Sequence, residues 1–133
     1  MLVLVVDDSR VMRTLIRRTL TSAGCEVVEA SDGAAALEML SGMAQRPDAI
    51  LCDSNMPRLN GVELVAAIRA WPQWNDIAIM MVTSETAQSH IDSAKAAGAD
   101  EYLAKPFTAA AMLDKLRLLG VWNPARSSVA AAV

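Results

Sequence analysis

Five residues that can do chemistry stand far apart in this chain, each just beyond an apolar run. Asp7 and Asp8 follow Leu2–Val6, Asp53 follows Ala49–Cys52, Thr83 closes the run that starts at Ile77, and Lys105 follows "EYLA". Three carboxylates, one hydroxyl and one ammonium make a telling set if the fold gathers them. Two carboxylates about 5 Å apart repel by roughly 3 kcal/mol at an effective dielectric of about 20. Such a cluster therefore takes up a proton or binds a cation. All-oxygen ligands suit a hard divalent ion, and Mg²⁺ accepts one or two carboxylates together with water and a phosphate. Three aspartates are balanced only when a divalent ion and Lys105 are both present. The same two cations would neutralise charge as a phosphoryl group passes to Asp53, which predicts Asp53 as a nucleophilic phosphoacceptor. Taken singly, each residue has a plainer reading: a helix cap for Asp7 or Asp8, a turn residue for Thr83, a solvated side chain for Lys105. The functional reading rests on their combination at strand ends.

The elements that would position them alternate regularly. Strands are expected at 2–6, 25–30, 48–53, 77–83 and 101–105, and helices over 10–24, 34–43, 61–70, 87–98 and 108–120. The first helix carries a stripe of Val11, Met12, Leu15, Ile16 and Leu20 with Gly24 as its stop, and "SDG" offers a cap to the second. Five strand–helix units imply a parallel sheet covered on both faces, a doubly wound α/β fold of (βα)5 type. In the flavodoxin-like strand order 2-1-3-4-5, strands one and three are neighbours, and functional groups gather beyond their C-terminal ends. That places Asp7, Asp8 and Asp53 in one cleft, with Thr83 and Lys105 at its rim.

The chain has 133 residues, one domain's worth, 53% of them hydrophobic and 20% charged. A folded domain is expected over 1–120, with residues 121–133 a tail, flexible or the stub of a linker. The net charge of −3, with no basic stripe, argues against a grip on nucleic acid. Cys25 and Cys52 lack metal or redox spacing and read as buried thiols in a reducing compartment. No run reaches membrane-spanning length, and the N-terminal apolar run is too short for a signal peptide. A cytoplasmic protein without membrane contact is expected.

The motifs "VVDDS", "DSNMPRLNG", "MMVTSE" and "GADEYLAKPFT" together resemble the response-regulator receiver domain of two-component signalling, most nearly its single-domain chemotaxis members. The resemblance runs from about Leu2 to Gly120. It implies a signalling phosphoacceptor rather than an enzyme, one that takes a phosphoryl group onto Asp53 from a phosphohistidine of a sensor kinase or phosphotransfer protein. By the same resemblance, Asp8, Asp53 and the Asn55 backbone carbonyl would ligate Mg²⁺, with Asp7 acting through water. Lys105 would pair with Asp53 and then with the phosphoryl group. Thr83 would reach a phosphoryl oxygen on activation, with Tyr102 turning inward in step. Asn55 and Glu85 stand at positions that tune acyl-phosphate lifetime, and Lys105-Pro106 would be a cis peptide. A target protein would read the face between the fourth and fifth helices, around Tyr102, while the kinase docks over the cleft and the first helix.

Departures from the family pattern are few. Asn60 replaces a more usual Asp before the turn glycine, and Ser54 follows Asp53, so no tryptophan sits there. Trp71, Trp74 and Trp122 read as packing residues, and His90 as a solvated or face residue without a metal partner. Rival readings fare worse. A flavodoxin-like cofactor binder needs a phosphate cradle where Asp7 and Asp8 would repel it, and an aspartyl-phosphate phosphatase wants D-x-D after the first strand. A receiver that serves only as an interaction module would be expected to lose Asp53 or Lys105. The live alternative is a receiver module of a longer response regulator or hybrid kinase.

Overall fold

A computed structural model describes residues 1–122; the part of the expected tail from 123 to 133 lies outside the described residues. Five strands, β1 (Leu2–Val6), β2 (Glu26–Ala30), β3 (Ala49–Cys52), β4 (Ala78–Thr83) and β5 (Glu101–Ala104), alternate with five helices. These are α1 (Arg10–Ser22), α2 (Gly33–Gly42), α3 (Gly61–Arg69), α4 (Gln88–Ala97) and α5 (Ala109–Leu118). A short 3₁₀ turn, Pro72–Trp74, follows α3. All strand pairs are parallel, in the order β2-β1-β3-β4-β5. The doubly wound expectation holds.

The central strands β1, β3 and β4 are apolar runs buried on both faces, because helices cover each side of the sheet. Successive side chains point to opposite layers. Leu4, Val6, Ile50 and Cys52 pack with Leu64, Val65 and Ile68 of α3, while Val3, Val5 and Leu51 pack with Ile16, Leu20, Met112 and Leu116 of α1 and α5. Val121 and Trp122 also lie against this second layer, and the Trp122 indole N–H donates to the Ala23 carbonyl at 3.2 Å.

The stripe on α1 is narrower than the sequence suggests. Met12, Ile16 and Leu20 form an i, i+4, i+8 row that faces the sheet, whereas Val11 is 81% and Leu15 49% exposed. Those two belong to the next row, about 100° round the helix.

Local chemistry sets the helix starts. Ser9, Asp32 and Thr108 each accept a backbone N–H three residues on, and Asn60 and Glu63 form a reciprocal capping box on α3. Asn60, the departure from the family pattern, is thus the α3 cap. Gly61 is required by close approach. A Cβ there would lie 2.3 Å from the Asp53 carbonyl oxygen and 2.8 Å from Ser54 Cα, so only glycine lets α3 begin directly behind the end of β3. Among the described residues, no helix is long and apolar enough to cross a membrane.

Candidate functional site

The register carries the chemistry to one rim. Val6 pairs with Cys52, Cys52 with Met81, and Thr83 with Ala104, so the residues that follow share one level beyond the sheet. The backbone continues the ladder briefly: Asp53 N–H donates to the Val6 carbonyl at 3.0 Å, and Lys105 N–H to the Thr83 carbonyl at 2.9 Å.

Asp7 and Asp53 are buried and Asp8 is exposed. One carboxylate oxygen from each lies within 4.8 Å of the other two. Lys105 Nζ sits 3.0 Å from Asp7 Oδ2 and 3.5 Å from Asp53 Oδ1, so the ammonium bridges both buried carboxylates and lies closer to Asp7. Asp7 is oriented from its other side by the Ser9 N–H, which donates to Oδ1 at 2.8 Å. Burial pushes the Asp53 carboxyl above its ordinary range, opposed by Lys105 and by the Asn55 backbone N–H and reinforced by Asp7. The resulting site has three hard oxygen donors against one resident cation. That donor set fits a divalent ion such as Mg²⁺.

On the other flank, Thr83 is fully buried and its hydroxyl meets the Tyr102 phenol as well as two nearer partners. It accepts the Glu85 backbone N–H at 3.1 Å and shares a hydrogen bond with the Ser54 hydroxyl. Tyr102 is half-buried, and its hydroxyl donates to the Glu85 backbone carbonyl. The ring is therefore inward. Burial raises the Tyr102 phenol, and the Glu85 carboxylate raises it further. Glu85 is held at both oxygens, by the Asn55 carboxamide at 2.9 Å and by His90 Nε2 at 3.0 Å. Lys105-Pro106 is cis.

All eight residues singled out from the sequence thus lie in two connected groups: Asp7, Asp8, Asp53 and Lys105, then Thr83, Glu85, Asn55 and Tyr102. Sequence reasoning missed Ser54 and His90. Parallel register offers a signal for the first, because extending Cys52↔Met81 by two residues sets Ser54 opposite Thr83. His90, expected on a solvated face, is half-exposed and places Nε2 3.0 Å from a Glu85 carboxylate oxygen. Trp74 is buried as a packing residue, whereas Trp71 is 54% exposed.

Residues 3–117 match the family described as the response regulator receiver domain. A "Chemotaxis protein CheY homolog" of Campylobacter jejuni is 40% identical over 117 residues, covering 87% of this chain and 89% of that protein. The structure of chemotaxis protein CheY4 of Vibrio cholerae superposes with a TM-score of 0.83 at 39% identity, covering 89% of this chain and 97% of that one. The receiver domain of sensor histidine kinase PA1611 from Pseudomonas aeruginosa, described with a magnesium ion coordinated in its active-site cleft, gives 0.77 at 34% identity, covering 91% and 95%.

Proposed function

This chain belongs to the response-regulator receiver domain family, and from that premise we propose that Asp53 is the residue on which it carries its phosphoryl group. Receivers are signalling phosphoacceptors supplied by histidine kinases. The observation that carries the assignment is the meeting of Asp7, Asp8 and Asp53 with Lys105 at the ends of three strands. Asp7 and Asp53 are both buried and paired with Lys105, and of the two Asp53 follows the central strand, β3, between β1 and β4.

In the step itself, an Asp53 carboxylate oxygen attacks the phosphorus of a phosphohistidine. The P–N bond breaks, its electron pair stays on the imidazole nitrogen, and an acyl phosphate forms. Lys105 holds positive charge beside the attacking oxygen and then beside the phosphoryl oxygens. Asp8, Asp53 and the Asn55 carbonyl would hold Mg²⁺, with Asp7 acting through water. When bound, the ion neutralises the oxygens that meet at phosphorus. Thr83 donates its proton to a phosphoryl oxygen, and Tyr102 reports that contact to the surface. Asn55 and Glu85, hydrogen-bonded to one another, set the rate at which water takes the phosphoryl group as phosphate and regenerates the Asp53 carboxylate. The protein thus catalyses only its own phosphorylation and slow autodephosphorylation.

The kinase or phosphotransfer protein docks over the cleft and α1, near Arg10 and Met12. A target protein, in the cytoplasm, reads the α4–β5–α5 face around Tyr102. The match along 89% of the C. jejuni protein supports a receiver of the chemotaxis kind.

Incubation with Mg²⁺ and a small acyl-phosphate donor tests the assignment. Intact mass should rise by one phosphoryl group in wild type, and not in Asp53→Asn or in chelator. Labelling of Asp53→Asn at the wild-type rate would end it.

A further inference from the structure

A hydroxyl group has one proton to give and two lone pairs to receive. At Thr83 one lone pair already holds the Glu85 N–H. The Ser54 hydroxyl lies within hydrogen-bond reach on its other side, with either oxygen able to donate. When Ser54 donates, both Thr83 lone pairs are used, and the Thr83 proton is turned toward the Tyr102 phenol oxygen, its partner until a phosphoryl oxygen competes for it. Ser54 is itself firmly placed, because its carbonyl accepts the Gly61 N–H at 3.0 Å where α3 closes on β3. The connection continues outward from Thr83 to the Glu85 backbone and from the Glu85 carbonyl to the Tyr102 hydroxyl.

We propose that Ser54 is a positioning residue: its hydroxyl holds Thr83, and through the Glu85 backbone the Tyr102 ring, inward before any phosphoryl group arrives. The proposal rests on the reading of Asp53 as phosphoacceptor and Thr83 as relay. A ligand of the inward state gains apparent affinity in proportion to the fraction of molecules already there. Ser54 therefore raises the resting population of that state and tightens phosphoryl engagement. A neutral hydrogen bond of ordinary net strength corresponds to a change of about 3- to 10-fold in that population ratio.

Tyr102 is the one tyrosine in the sequence, so fluorotyrosine incorporated into the full chain gives a single ¹⁹F resonance. Ser54→Ala should move that resonance toward the solvent-exposed position in the unmodified protein. It should also weaken the apparent affinity for beryllofluoride with Mg²⁺ by up to about 10-fold, and by less the more of the resting protein is inward. Ser54→Thr, which keeps the hydroxyl, should restore both. In a Thr83→Ala background, Ser54→Ala should add nothing. A Ser54→Ala protein with wild-type resonance and wild-type beryllofluoride affinity would overturn the proposal, as would lost stability without movement of the resonance. Asp53→Asn separates the two layers: beryllofluoride bound at wild-type affinity by that variant would overturn the Asp53 assignment, whatever Ser54 does.

Discussion

Replacing Asp53 by Asn should make the metal-free protein more stable. At an effective dielectric of about 20, charges 4.8 Å apart interact by about 3.5 kcal/mol, the scale of the repulsion between the Asp7 and Asp53 carboxylates. The attraction of Lys105 at 3.5 Å is about 5 kcal/mol on the same scale. The Lys105 attraction exceeds the Asp7 repulsion, so burial of Asp53 is what tips the balance against its charge. Asp8 is exposed, so solvent screens its share, and the net relief expected from Asp53→Asn in chelator, set by burial, is no more than about 1 kcal/mol. The sign with pH follows from the raised Asp53 carboxyl. Between the unfolded and the folded pKa, the folded state binds more protons, so wild-type stability falls as pH rises through that window. The advantage of Asp53→Asn is therefore complete above the folded pKa, shrinks as pH falls, and vanishes below the unfolded carboxylate value of about 3.9. Mg²⁺ at ten times its dissociation constant should stabilise wild type by about 1.4 kcal/mol and the variant by less. Urea unfolding at several pH values, in chelator and in Mg²⁺, measures all of this. An Asp53→Asn protein less stable than wild type in chelator at neutral pH, or a gap unchanged by pH, would refute the electrostatic reasoning.

Thr83→Ala should still take phosphate at Asp53 but lose a hydrogen bond to a charged group, worth about 1.5–3 kcal/mol or a 10- to 150-fold smaller active-to-inactive ratio. Thr83→Ser should keep most of the response, and the Tyr102 resonance with and without beryllofluoride reads both. Cys52 is buried, and its thiol is pushed up strongly by burial and then by Asp53 and Asp7, so thiol reagents should label it only as fast as the protein opens; rapid native labelling would contradict the buried strand. Arg58 holds a left-handed φ of 70° with its side chain mostly in solvent. Arg58→Gly should stabilise by about 0.5–1 kcal/mol, since the 3.7 Å pair with Asp32 at that exposed position is worth little against the backbone strain.

Much of this was readable in the sequence because apolar strands in a parallel sheet must end where their first polar residues begin. Asp7, Asp53, Thr83 and Lys105 announce both the strand ends and the site. Position within a helix face was harder to read. Val11 and Leu15 are apolar and helically spaced, yet only the neighbouring row of Met12, Ile16 and Leu20 meets the sheet. Periodicity finds an apolar stripe without saying how much of its width a flat partner covers. The 3₁₀ turn at Pro72–Trp74 is too short to leave a period. Ser54 and His90 were missed for another reason: a serine after a strand and a histidine on a helix are usually solvated, and the partners here come from the approach of β4 for Ser54 and from the β4–α4 loop for His90.

Lys105 and Asp7 meet across 98 residues of chain, which has a consequence for how the protein is born. Synthesis proceeds from the N-terminus, so Asp7 emerges first, Asp53 joins it when β3 pairs with β1, and Lys105 leaves the ribosome much later. Through that interval any compact intermediate brings acid groups together without their resident counter-charge. Early docking of β1 and β3 works against that repulsion, which protons or divalent ions relieve. The last strand to be made is thus the one that completes the cleft, and a nascent chain has no finished acceptor to offer a kinase until its sheet is whole.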